Sequence, residues 1–345
     1  LPIFTIKPRI PANFLLQDEQ ELLHVAFAMG GVRGILFMQP IYWAGLTITC
    51  LLLCQPAKVL GQEPEMAPSA TAKVDGAYNS GDTFLYRLSK FLNPTREKEP
   101  EEGIPKPTIR DPGPDTSNFP NGPYTLPQGR TYIEITPFNL AGRTSSTART
   151  YTFPFLIRHG ITDDVELRLF SNGLTAYGPQ DDTGRLTGFS PLVFDMKFHI
   201  MDENKELFLP AIGFQAYIQS TFGSSFLNTG VQPSLFLLFS KEVKEKWTLE
   251  CSMGLQSANF DTQPGDGFLY SLQWAATREI TDDFSVFVQG FYNDSVDPRF
   301  TLNSVAGFGA QWDVGERTSI FGSYNFGLVN NQPPYVAYFG LAFAL

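Results

Sequence analysis

From Arg130 to Leu345, apolar and polar residues alternate, the period that sends successive side chains to opposite faces of a β-strand. In Phe189–Asp202 the apolar set is Leu192, Phe194, Met196, Phe198 and Ile200, and Asp195, Lys197 and His199 stand between them. In Trp247–Phe260, Trp247, Leu249, Cys251, Met253 and Leu255 alternate with Thr248, Glu250, Ser252, Gly254 and Gln256. Phe300–Asp313 sets Leu302, Ala306, Phe308, Ala310 and Trp312 against Thr301, Asn303, Gly307, Gly309, Gln311 and Asp313. Around Ile161–Phe170, Val165, Leu167 and Leu169 oppose Glu166, Arg168 and Phe170. The polar face carries charges in mid-strand. Facing bulk water they would suit a soluble sandwich; facing inward they would line a membrane barrel. Alternation alone leaves both readings open.

Spacing narrows the choice. Short polar turns are expected at Thr162–Asp164, Asp202–Lys205, Glu242–Lys246, Thr281–Asp283 and Val314–Glu316. Between them lie longer connectors rich in Gly, Pro and Asn, at 141–148, 173–188, 220–230, 260–267, 294–299 and 329–334. Short turns at one end and longer loops at the other mark outer-membrane barrels. The 216 residues of Arg130–Leu345, shared among about twelve strands, suit membrane-crossing strands of about 9–11 residues each. The predicted fold is an all-β, closed antiparallel transmembrane barrel of about twelve strands with both ends periplasmic. In the last strand Tyr335, Ala337, Phe339, Leu341, Phe343 and Leu345 form an apolar face. Such a strand would be a poor edge for a soluble sheet. It resembles the terminal signal read by the barrel-assembly machinery, although it ends in Leu rather than an aromatic residue.

Ahead of the barrel the pattern changes twice. Arg33 followed by the apolar run Ile41–Leu53 and by Val59-Leu60-Gly61 reads as a secretory signal over 29–61. A transmembrane anchor is the alternative, but the run is short for one. Residues 1–28 begin with Leu, resemble neither an n-region nor a domain, and are expected not to be native coding sequence. Residues 62–129 hold eleven Pro and are expected to be a largely disordered periplasmic segment. Within it Phe84, Leu85, Leu88, Phe91 and Leu92 recur at helical spacing. That could be a short amphipathic helix or a transient one.

Composition agrees with this picture. Mean hydropathy of -0.10 excludes a helical membrane protein, and the 14% aromatic share suits girdles at two interfaces, or equally a β-rich soluble protein. The net charge of -10 argues against nucleic acid as a partner. Cys50 and Cys54 fall in the export segment, and Cys251 alone can form neither a disulfide nor a thiolate metal site. No metal and no cofactor is expected.

The stretch Tyr151–Arg168 resembles a hairpin of the MetA-pathway phenol-degradation family of outer-membrane barrels, whose members are also called transporters. Pro154, Leu156, Arg158, Gly160, Ile161, Thr162, Asp163, Val165, Glu166, Leu167 and Arg168 carry the match. Glu279–Phe287 repeats the turn, and Pro334–Leu345 is similar to the closing strand of that family. The resemblance covers 216 residues and leaves the Pro-rich segment outside. It implies an outer-membrane channel associated with uptake of aromatic or other hydrophobic compounds. An enzyme is the weaker reading, because His159 and His199 are expected at the short-turn end, away from the outer leaflet. In the pore reading Arg158, Glu166, Arg168, Asp195, Lys197, Glu250, Gln256, Gln273, Gln289, Gln311 and Asp313 project inward, with signs too mixed for strong ion selectivity. Inward charges can instead pair with one another and fill a narrow barrel, and Arg158, Glu166 and Arg168 could lock their own hairpin. The expected function is passive passage of small solutes through the lipid bilayer. The alternative is a non-conducting envelope barrel whose N-terminal arm binds periplasmic partners.

Overall fold

The computed structural model describes residues 107–144, 148–179, 185–258, 267–294, 303–329 and 332–345. The expected signal segment, the residues before it and the short amphipathic helix lie outside these. Thirteen strands follow in order: β1 (Thr131–Ala141), β2 (Thr150–Thr162), β3 (Val165–Tyr177), β4 (Leu186–Phe189), β5 (Val193–Met201), β6 (Ala211–Gln219), β7 (Gln232–Lys244), β8 (Trp247–Ala258), β9 (Gly267–Thr281), β10 (Phe284–Asp294), β11 (Asn303–Gly315), β12 (Thr318–Gly327) and β13 (Tyr335–Ala344).

Every strand except β4 lies in one closed antiparallel ring of twelve. β1 closes it, pairing Tyr132 with Ala344 of β13 on one side and with Arg158 of β2 on the other. Closure leaves no open edge, so each spanning strand can satisfy its backbone groups inside lipid. The sequence expectation of one strand from Phe189 to Asp202 is corrected: it is broken. β4 pairs only with Leu174–Tyr177 of β3, while β5 pairs with Val165–Phe170. Pro191, in the gap, has no N–H to give a ladder. Opposite it, Gly173 takes a left-handed φ of 61°, and Ser190 N–H bonds to the Gly173 carbonyl.

The turns after β2, β7, β9 and β11 contain two residues each, and both the start of β1 and the end of β13 share their end of the barrel. The turn expected at Asp202–Lys205 is longer, running from 202 to 210 and folding back on itself through an Asn204–Leu209 bridge. Connectors at the opposite end run to seven residues or more.

Burial is inverted relative to a water-soluble sheet. Phe194, Met196, Leu235, Leu237, Met253, Leu255, Val288, Phe308 and Phe339 are exposed on the outside, whereas Glu134, Arg158, Glu166 and Lys197 are fully buried inside. The period-two pattern thus resolves into apolar out and polar in, the order a bilayer demands. Three apolar clusters also lie inside: Leu156, Phe170, Val193, Tyr217, Phe236 and Leu238; Phe119, Phe291 and Val305 with Tyr338; and Ile109, Leu126, Tyr132, Phe321, Ala342 and Ala344.

The sequence reading ended the unfolded segment at Gly129, and the structure corrects this. Residues 107–129 are folded inside the ring. Ile109 N–H bonds to the Glu316 carbonyl at the β11–β12 turn (2.8 Å), and Asp115, Thr116, Ser117, Asn118, Phe119 and Leu126 are buried. Proline-rich composition signals an extended chain without local order, and that is what this segment is. The barrel wall supplies the partners that the segment does not find in itself.

Candidate functional site

The site is the lumen, built by the inward faces of the strands and the segment lying across them. On the β1–β5 wall the inward positions are Glu134, Arg158, Glu166, Arg168, Asp195 and Lys197. Register brings them together, since Arg158 lies beside Arg168, Glu166 beside Lys197 and Arg168 beside Asp195. Arg158 Nε donates to Glu166 Oε1 at 2.8 Å, its Nη2 to Glu166 Oε2 at 2.9 Å and its Nη1 to Glu134 Oε1 at 3.2 Å. Arg168 Nη1 lies 3.2 Å from Asp195 Oδ2, an ion pair by distance whose angle falls short of a hydrogen bond, since that nitrogen has no hydrogen-bond partner.

Three buried cations with three wall carboxylates would be balanced, but the lumen segment adds a fourth. Lys197 Nζ bonds to the Asp115 carboxylate, with Arg158 and Arg168 each 3.5 Å from it. Burial alone would raise the Asp115 carboxyl; Arg158, Lys197 and Arg168 outweigh it and hold it down at about 2. The segment's backbone is held by the same side chains. Asp115 N–H and Thr116 N–H donate to Glu134 (3.1 and 2.8 Å), Arg158 Nη1 donates to the Gly113 carbonyl (3.0 Å), and Leu126 N–H donates to Glu166 Oε2 (2.8 Å).

The family hairpin is where this segment docks. A Cβ on Gly160 would lie 2.3 Å from the Pro127 carbonyl oxygen and 2.4 Å from that of Leu126, so only glycine admits the chain so close. Thr125 Oγ1 donates to the Asp163 carbonyl (2.6 Å) and Gln128 N–H to Asp163 Oδ1 (3.1 Å). Thr162 Oγ1 accepts from Asp164 N–H (3.2 Å), closing the turn. Pro154 sits where the β2–β3 register shifts between Phe153 and Phe155.

The β8–β11 wall differs. Asn118 Nδ2 donates to Glu250 Oε2 (2.7 Å), and Phe119 N–H to Gln289 Oε1 (2.8 Å). Beside these tethers lies a cavity of 290 Å³ at the short-turn end, lined by Glu250, Thr277, Glu279, Asp283, Gln311 and Asp313 facing segment residues 110–124. Gln273 is buried deeper, on a 20 Å³ cleft, about room for one water. Gln256 is buried with its Nε2 unpartnered. The sequence-predicted residues therefore divide. Arg158, Glu166, Arg168, Asp195 and Lys197 form one network, whereas Glu250, Gln311 and Asp313 border the cavity. His159 contacts Thr131 Oγ1 (2.8 Å); His199 contacts the Pro123 carbonyl (3.1 Å) and Asp202 (3.0 Å) and stacks on Tyr124. Sequence reasoning missed Glu134, whose signal lay in the alternation of Tyr132 and Glu134 with Ile133 and Ile135. It also missed Asp115, which no strand pattern marks.

A closed sheet with an apolar exterior and ion pairs within is an outer-membrane β-barrel, a protein of the Gram-negative outer membrane. The chain belongs to the family described as "Putative MetA-pathway of phenol degradation", whose model matches residues 114–345. The match begins inside the lumen segment, so residues 114–129, expected to fall outside the family pattern, are part of it. Among solved structures the fold is similar to that of the COG4313 outer membrane channel from Pseudomonas putida F1, with 14% identity and a TM-score of 0.50, covering 66% of this chain and 99% of that one. The NanC porin (10% identity, TM-score 0.43, 62% and 100% covered) and the KdgM porin (9%, 0.39, 62% and 96%) are more distant. Among curated proteins no significant match is found.

Proposed function

We propose that this barrel is a channel for passive passage of small solutes, aromatic or other hydrophobic compounds among them, down their gradient, with its short-turn end in the periplasm. The observation that carries the reading is the 290 Å³ cavity beside the lumen segment: the interior is hollow at the short-turn end of one wall instead of packed across. Tyr124 and Phe287 on the cavity lining, and the naming of the family for phenol degradation, support an apolar or aromatic solute. The reading gives His159 and His199 no chemistry, since their bonds serve Thr131 and the lumen segment. We assign Tyr335–Leu345 to recognition by the barrel-assembly machinery. Purified protein refolded in detergent is expected to raise conductance or solute flux across planar bilayers; flux no greater than background rejects the channel.

A second reading, a non-conducting barrel whose N-terminal arm binds periplasmic partners, is favoured by the segment's occupation of the lumen. Deleting residues 62–106 separates the two: a channel keeps its flux, while an anchoring barrel loses its partner.

A further inference from the structure

We infer that the luminal cavity selects for cations over anions, chiefly through Glu279 and Asp313, with Glu250 beside them. This rests on the channel reading above. The mixed signs in the sequence suggest no preference, but the fold sorts them by position. The cations Arg158, Arg168 and Lys197 are all fully or almost fully buried on the β2–β5 wall, and each faces carboxylates there. They are spent in that network and face no open space.

The cavity wall has the opposite balance. Six carboxylates border it, those of Asp115, Glu250, Glu279, Asp282, Asp283 and Asp313, against the single cation Arg110. Asp115 belongs to the buried network, Arg110 pairs with Asp283, and Lys246 approaches Asp282 at 3.8 Å. Glu250, Glu279 and Asp313 are left without an ion-pair partner among the described residues. The side-chain bond of Asp313 comes from a neutral amide, Gln311 at 3.2 Å, which leaves its charge uncompensated, while Glu250 is bonded by the amide of Asn118 at 2.7 Å.

The sign does not depend on where the lumen segment lies. With it in place, the network has four carboxylates to three cations. Withdrawn, it takes Asp115 and Arg110 with it, leaving the network balanced and the cavity wall acidic. Carboxylates of one sign gathered around the cavity mouth raise the local concentration of cations there. Rings of Asp and Glu act in this way in cation-conducting pores.

The test is the reversal potential of the full chain in planar bilayers with unequal KCl on the two sides. A potassium to chloride permeability ratio on the order of 10 is expected, falling close to one in the triple variant Glu250→Gln, Glu279→Gln, Asp313→Asn. Because Glu250 also holds Asn118, the pair Glu279→Gln, Asp313→Asn must by itself lower the ratio. A wild-type ratio of one or less, or a ratio unchanged in the triple variant, overturns the inference and leaves the channel standing. A silent bilayer overturns the channel reading itself, and the selectivity with it.

Discussion

The two walls of the lumen share one alternation and one sheet yet do opposite work. On β2–β5 the inward side chains are long and charged, and the lumen segment is pinned to them through Asp115, Gly113 and Leu126. On β8–β11 the inward positions include Ser252, Ser271, Ala275, Gly307 and Gly309, which are short, and the segment is tethered at a few points, none of them an ion pair. Long charged residues fill space only when each charge is met, so that wall closes around its partner. The other wall meets the segment at few points, and the cavity lies at its short-turn end, between Glu250, Thr277, Gln311 and Asp313 and the segment. The comparison teaches that a polar lumen is not one property: a wall of paired charges holds the chain closely, and a wall that meets it at few points leaves space beside it.

The comparison breaks most severely at Arg158. Replacing it with Met leaves Glu134, Glu166 and Asp115 buried around an absent cation. Removing one partner of a buried ionic network costs about 3–5 kcal/mol. The temperature at which the folded band shifts in heat-modifiable gel migration should fall sharply in Arg158→Met. An unchanged transition would mean that the network does not hold this wall.

Asp115 tests the segment and not the wall. Its carboxyl, ordinarily near 3.8, is held at about 2. A depressed folded-state value means the stabilisation is fully present above 3.8 and is lost as pH falls to about 2. The lumen segment should therefore loosen over that acidic window, and single-channel conductance should step upward. Glu134 and Glu166 sit in the same network, so the control is Asp115→Asn. It should conduct more than wild type at neutral pH, with about 1.5–3 kcal/mol of charge-assisted bonding removed, and should show a much flatter acid step. An equal step in both proteins would assign the titration to the wall carboxylates.

How much of this was legible beforehand follows from the physics of each part. Strand alternation records which face is lipid, so the barrel, its closing strand and the inward set from Arg158 to Asp313 could be read from single residues. The break at Ser190–Leu192 was hidden because Leu192 keeps the apolar parity of Phe194 while Pro191 interrupts only the hydrogen bonding. The lumen segment was invisible for a deeper reason. Asp115, Asn118 and Phe119 have no period, since each is placed by a partner elsewhere in the chain: Lys197, Glu250 and Gln289. Local pattern records local faces; it does not record a chain held at long range by single contacts.

The smallest effect sharpens the contrast from the other wall. Gln289 accepts from Phe119 N–H and donates toward Ser323 (3.0 Å), Asn325 (3.0 Å) and Tyr338 (3.2 Å). Gln289→Leu keeps the volume and removes a neutral tether, leaving Phe119 N–H without its acceptor, a loss of about 1–3 kcal/mol. Because no charge is uncovered, the gel transition should stay within a few degrees of wild type, and the acid step set by Asp115 should be unchanged. Conductance at neutral pH should rise less than in Asp115→Asn, since Asn118 still holds Glu250. If Gln289→Leu instead opened the lumen as widely as Asp115→Asn, the β8–β11 wall would hold the segment as firmly as the ion-paired one, and the division of labour between the walls would fail.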